Sequence, residues 1–141
     1  MTLQLQPLAT MVVKLRAPIY LPDTPVGTRA IAEVAEVDMS GDRIRARMRG
    51  VAAADWLVIA PDQTLGTVDV RVTLETDDGA VIFAHYVGRV DLSQAPPVVY
   101  VAPLFDTGHP DYAWLSRIQA VAKGTFSEDM SVLTYEMFEL R

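Results

Sequence analysis

No cysteine occurs among the 141 residues, which excludes disulfides, thiolate metal sites and a cysteine nucleophile. Histidine is nearly as scarce. His85 and His109 are the only two, and they form no H-x-H or H-x-x-x-H pair of the kind that holds a metal. Neither a metal nor another cofactor is therefore expected. G-x-S-x-G, G-x-G-x-x-G and a phosphate loop are also missing, so serine-hydrolase, dinucleotide and nucleotide chemistry lack their backbone signatures. The longest apolar runs, "VVYVAPLF" and "AVIFA", fall far short of the ~20 residues of a membrane helix, so no membrane association is expected. The opening "MTLQLQPLATMVVKL" has neither a basic start nor an unbroken apolar stretch, and the expectation is a cytoplasmic chain without a secretory leader.

Positive charge is in deficit, with 12 basic against 18 acidic residues and a net charge of -6. Long-range repulsion then disfavours nucleic acid as a partner unless some arginines stand uncompensated. The test is "DRIRARMRG" at 42–50, where Arg43, Arg45, Arg47 and Arg49 share one side of an extended segment. A hairpin turning at Gly41-Asp42 sets Asp38 opposite Arg45, Glu36 opposite Arg47 and Val34 opposite Arg49. Met39-Ile44, Val37-Ala46 and Ala35-Met48 then pair on the reverse face. The row is thus expected to meet the protein's own acids rather than a phosphate or an anionic ligand.

Alternation at period two dominates the chain. Leu3, Leu5, Ala9, Met11, Val13 and Leu15 alternate with polar residues, and "APIYLPDTPVGT" follows as a Pro-rich loop. "ADWLVIAP" makes a short strand, and "TVDVRVTLETDDGAVIFAHYVGRV" makes a hairpin about Asp78-Gly79. That turn is expected to put Val70, Val72, Leu74, Val81, Phe83 and Val87 on one face, His85 with them, and Tyr86 beside Arg71 on the other. Further strands are expected at 97–105, 117–124 and 130–140, with a short helical turn from Pro110. About nine strands at regular spacing predict an all-β fold, a single antiparallel barrel domain spanning 1–141.

The segments "TPVGTR", "ADW", "VDVRVTLETDDGAVIF", Gly88, "FDTGHPDYAWL" and "VLTYEMFEL" occur in order from residue 24 onward. Together they resemble the uncharacterised family known as domain of unknown function 3237 (UPF 0311-like). The resemblance implies a small antiparallel β-barrel, often oligomeric, with no general biochemical role. Its motif positions fall on Gly27, Arg29, Asp55, Trp56, Arg71, Asp78, Gly79, Phe105, Thr107, Tyr112 and Trp114. Val51-Ala52-Ala53 stands where that family usually has a glycine pair.

Candidate chemistry centres on ionisable groups on apolar faces. His85 is a potential acid or base, or else a satisfied core histidine. Glu33 falls on the apolar side of its strand, as does Arg29, unless a β-bulge near residue 34 turns it outward. Of Asp55 and Trp56, alternation sends one inward, giving either a desolvated carboxyl or an aromatic wall. Tyr112, Trp114 and His109 either close over a ligand or plug one barrel end. The catalytic candidates are His85, Glu33 and Asp55, and the substrate-binding ones Arg29, Trp56, Arg71, Phe105, Tyr112 and Trp114. They suit a small-molecule-binding barrel, with cofactor-independent isomerase or lyase chemistry as its enzymatic form. The alternative is a non-catalytic homo-oligomeric module.

Overall fold

Alternating apolar residues can bury one face only by closing the sheet upon itself, and they do so here. A computed structural model of the chain describes residues 1–141. Its strands are β1 (Leu5–Leu15), β2 (Ile19–Thr24), β3 (Gly27–Ser40), β4 (Arg45–Met48), β5 (Ala54–Ile59) and β6 (Leu65–Thr76). They continue as β7 (Val81–Asp91), β8 (Val98–Val101), β9 (Leu104–Asp106), β10 (Ala120–Phe126) and β11 (Val132–Leu140). Eight of them run β6-β5-β3-β1-β11-β10-β8-β7, and β7 pairs back onto β6 to close an antiparallel barrel. The other three extend its wall: β4 continues the place of β5, β9 that of β8, and β2 that of β1 along β3. No helix is long and apolar enough to cross a membrane.

The all-β barrel expected from the sequence is present, with eleven strands rather than nine. The segment whose prolines predict a loop contains β2. It is an edge strand paired only with β3, where Pro22 removes no ladder bond on its free side.

Three local irregularities decide which side chains face inward. In β1 the register shifts between Pro7 and Ala9, so Leu8 is buried while Leu3 and Leu5 are exposed. In β3, Lys14 lies opposite Glu36 but Leu15 lies opposite Val34, leaving Ala35 as the extra residue of a bulge. Val34 and Val37 can then both be buried, and Glu33 turns to solvent. The β6-β7 connection is a three-residue loop, Asp77 to Gly79, with Thr76 N donating to Ala80 O at 2.9 Å and Gly79 at φ 90°. Leu74 consequently pairs with Ile82, Val72 with Ala84 and Val70 with Tyr86. Against the expectation of a two-residue turn, Ile82, Ala84 and Tyr86 are inside, and Val81, Phe83, His85 and Val87 are outside. One residue of loop length inverted the whole strand.

The arginine hairpin also differs in register, but by an even step. Asp38 pairs with Arg47 and Met39 with Ala46 across a wider turn, in which Gly41 N donates to Ile44 O at 2.8 Å. An even step preserves both faces, so the arginines stay outside. Arg47 lies 3.8 Å from Asp38, Arg49 pairs with Glu75, and Arg43 reaches Glu139 at 2.6 Å. The row meets the protein's own acids, through partners other than those the simpler register predicts.

One barrel end is shut by the 3-10 helix Pro110–Arg117, which His109 caps by accepting from Asp111 N. Leu115 is fully buried beneath it, next to the buried Phe105 in the core. Arg43 stacks 4.5 Å over Trp114, and the Tyr112 hydroxyl donates to Asp78 Oδ1 at 2.9 Å. Leu115→Ala should therefore cost about 2–5 kcal/mol in chemical denaturation, as a large-to-small change in a packed site. Gly88→Ala should destabilise by about 1–3 kcal/mol, since the added Cβ would lie 1.9 Å from the Tyr100 carbonyl oxygen. Denaturation midpoints unchanged from the parent protein would contradict this account of the two positions.

Candidate active site

Large side chains fill one half of the barrel and leave the other open. Met11, Met39, Leu74, Ile82 and Met137 pack solidly near the helical end. Toward the opposite end β3 offers only Ala30, Ala32 and Val34, and β1 leaves the wall after Leu15. A cavity of about 560 Å³ results, walled by Val13, Val34, Leu57, Ile59, Val70 and Leu133. Its rim is formed by Arg16 to Tyr20 on one side and Asp129 to Ser131 on the other.

Asp55, Tyr86 and Tyr135 reach the interior of this space from the barrel wall, while Arg16, Tyr20 and Asp129 stand at its rim. Asp55 sits on the inner face because its strand pairs it with Ala32 and with Val70, which is also inward. Asp55 Oδ1 accepts from the Asp69 N–H at 3.0 Å. Burial raises its pKa to about 7; that hydrogen bond opposes the rise and the Asp69 charge adds to it. Tyr86 and Tyr135 pack edge to face, with ring centroids 5.7 Å apart at 75°. Burial pushes both phenols above their ordinary range, with the Asp55 charge adding to the effect. The cavity thus holds a carboxyl that can give or take a proton near neutral pH beside two neutral hydroxyls.

Among the residues expected from the sequence, Asp55 alone lines the cavity. Alternation sends Trp56 the other way, opposite Ile31, where it is 38% exposed. Arg29 lies on the same outer face, with Nη1 donating to the Trp56 carbonyl at 3.4 Å. Glu33 is outside because of the β3 bulge, and His85 because of the longer loop before β7. His85 Nε2 lies 2.9 Å from Asp69 Oδ1, and Arg71 is exposed directly across the strand pair from His85. Phe105, Tyr112 and Trp114 belong to the closed end, so the plug is what those aromatics form. Sequence reasoning missed Tyr86 and Tyr135. The alternation of "VLTYEMFEL" carried a signal for Tyr135 beside Leu133 and Met137, whereas Tyr86 was lost with the loop count.

The family model described as a protein of unknown function, DUF3237, matches residues 3–140. A UPF0311 protein of Rhodopseudomonas palustris strain CGA009 is 29% identical over 121 residues, covering 76% of this chain and 78% of that protein. One from strain TIE-1 is 30% identical over 105 residues, or 64% of this chain and 67% of that protein. A solved β-barrel-like protein of Acinetobacter baumannii has 26% identity and a TM-score of 0.89, over 100% of this chain and 98% of the other. An enzyme from Penicillium herquei has 18% identity and a TM-score of 0.72, over 99% and 94%.

The raised carboxyl has a thermodynamic consequence of definite sign. Between the ordinary carboxylate value of 3.8 and about 7, the folded chain keeps the Asp55 proton that the unfolded chain has released. This contribution to stability is complete below the unfolded value and is lost as pH rises through about 7. Asp55→Asn should abolish it, so relative to the parent the variant should gain on the order of 2–4 kcal/mol between about pH 4 and pH 8. Denaturation curves at several pH values read this directly, and parallel pH profiles for the two proteins would refute it.

Proposed function

Since the chain belongs to the DUF3237 family, a group of barrels without an assigned chemistry, we propose that its open half binds a small, largely apolar carbonyl metabolite and moves a proton on it. The observation that carries this is the meeting of Asp55, Tyr86 and Tyr135 in a cavity whose other wall residues are mainly aliphatic. In its ionised form Asp55 takes a proton from the carbon next to the carbonyl, and the C–H electron pair moves into the carbonyl to give an enolate. The two phenols donate hydrogen bonds to that oxygen as its charge grows. Asp55 then returns the proton to another atom of the same molecule, which balances an isomerisation. Dehydration or cyclisation uses the same transfer, and none of these needs a redox partner. Arg16 at the rim suits a substrate with an anionic end held away from Asp55. A structural neighbour being an enzyme gives the fold a precedent for catalysis.

A second reading, a non-catalytic module that assembles with copies of itself, is favoured by the outer sheet face. Phe83, Val87, Tyr100 and Leu104 are 41%, 50%, 53% and 53% exposed there. Thermal shift against a panel of small aromatic acids and ketones separates the two. The first reading expects a ligand that raises the melting temperature of the parent protein and does so at least about tenfold more weakly, in apparent affinity, for folded Asp55→Asn and Tyr86→Phe. No stabilising compound in the panel, together with a concentration-dependent mass in light scattering, would favour the second.

A further inference from the structure

Asp69 belongs to both sides of the barrel wall. Its backbone N–H points inward and donates to Asp55 Oδ1 at 3.0 Å, while its side chain stands outside with Oδ1 2.9 Å from His85 Nε2. The inward bond is the hydrogen bond the protein gives to the Asp55 carboxyl, and the outward carboxylate lies behind the same strand. We propose that Asp69, engaged by His85, is a positioning residue for the lumen acid, acting on Asp55 through the thickness of the sheet. The N–H anchors one Asp55 oxygen and leaves the other free toward the cavity. The charge behind the wall repels an ionised Asp55 and so keeps the proton on it. His85 tempers that repulsion by engaging the Asp69 carboxylate on the outer face.

The surroundings leave few competitors for this role. Inside, Asp55 faces Tyr86 from β7 and Tyr135 from β11, with Tyr20, Arg16 and Asp129 at the rim and only Ala30, Ala32 and Val34 from β3. Outside, Asp69 faces His85 from β7 and Arg71 on its own strand, and Arg29 lies beyond Trp56 on the neighbouring one. The arrangement explains why a His-Asp pair sits on the outer surface at the level of the cavity floor. It rests on Asp55 being the acid-base group proposed above.

The test is a carbon-13 NMR titration of the Asp55 carboxyl in the full chain without ligand, with Asp55→Asn assigning the resonance. Asp69→Asn keeps the N–H and removes the charge, and it should lower the Asp55 midpoint by about 0.5–1 pH unit. His85→Gln should move it the other way by a smaller step, and Asp69→Glu should restore the parent value. A midpoint within about 0.2 unit of the parent in folded Asp69→Asn, or in His85→Gln where Asp69→Asn does not fold, overturns the proposal. Failure of every ligand to bind would defeat the catalytic reading while leaving these titrations intact, so the two outcomes remain separable.

Discussion

Every side chain of this barrel is inside or outside according to a count of two along its strand, and the position of each ionisable group follows from where that count is reset. It is reset in β1 at Pro7, in β3 at Ala35, and before β7 by the third residue of the Asp77-Asp78-Gly79 loop. Each reset exchanges inner and outer faces for the rest of its strand. The β3 bulge sends Glu33 to water, where its charge costs nothing, and the β7 loop sends His85 out while bringing Tyr86 in. Had both counts run on unbroken, Glu33 and His85 would face the lumen, with a desolvation cost that the aliphatic wall could not offset.

The unequal filling of the barrel is the second determinant of the site. Methionine, leucine and isoleucine close one half, and the 3-10 helix seals it through Leu115 and the Arg43-Trp114 stack. Alanines on β3, together with the early exit of β1, leave the other half hollow. Stability is therefore concentrated away from the cavity, and the open half can carry a half-buried carboxyl that works against folding once ionised.

Charge is organised by the same geometry. A row of four arginines on an acidic chain looks like a docking surface for an anion until the sheet closes and brings Asp38, Glu75 and Glu139 against it. The exposed Arg47–Asp38 and Arg49–Glu75 pairs add little stability individually. Arg43 is the exception in consequence, because it links Glu139 of the last strand to the plug through Trp114.

The sequence by itself determined the antiparallel barrel, the Asp-Gly turn region, the Pro110 helical turn and the outward arginines, and it required that one of Asp55 and Trp56 face inward. All of these depend on local alternation or turn chemistry, which neighbouring residues encode. Only the tertiary structure decided that Tyr86 and Tyr135 share the cavity with Asp55. It likewise decided that Asp55 rather than Trp56 faces the cavity, that His85 and Arg29 stand outside, and that Tyr112 and Trp114 close the far end. The reason is physical: a bulge or one extra loop residue leaves composition and pattern almost unchanged, yet its effect is to rotate an entire strand. Which choice is taken depends on how strands distant in the chain pack against each other.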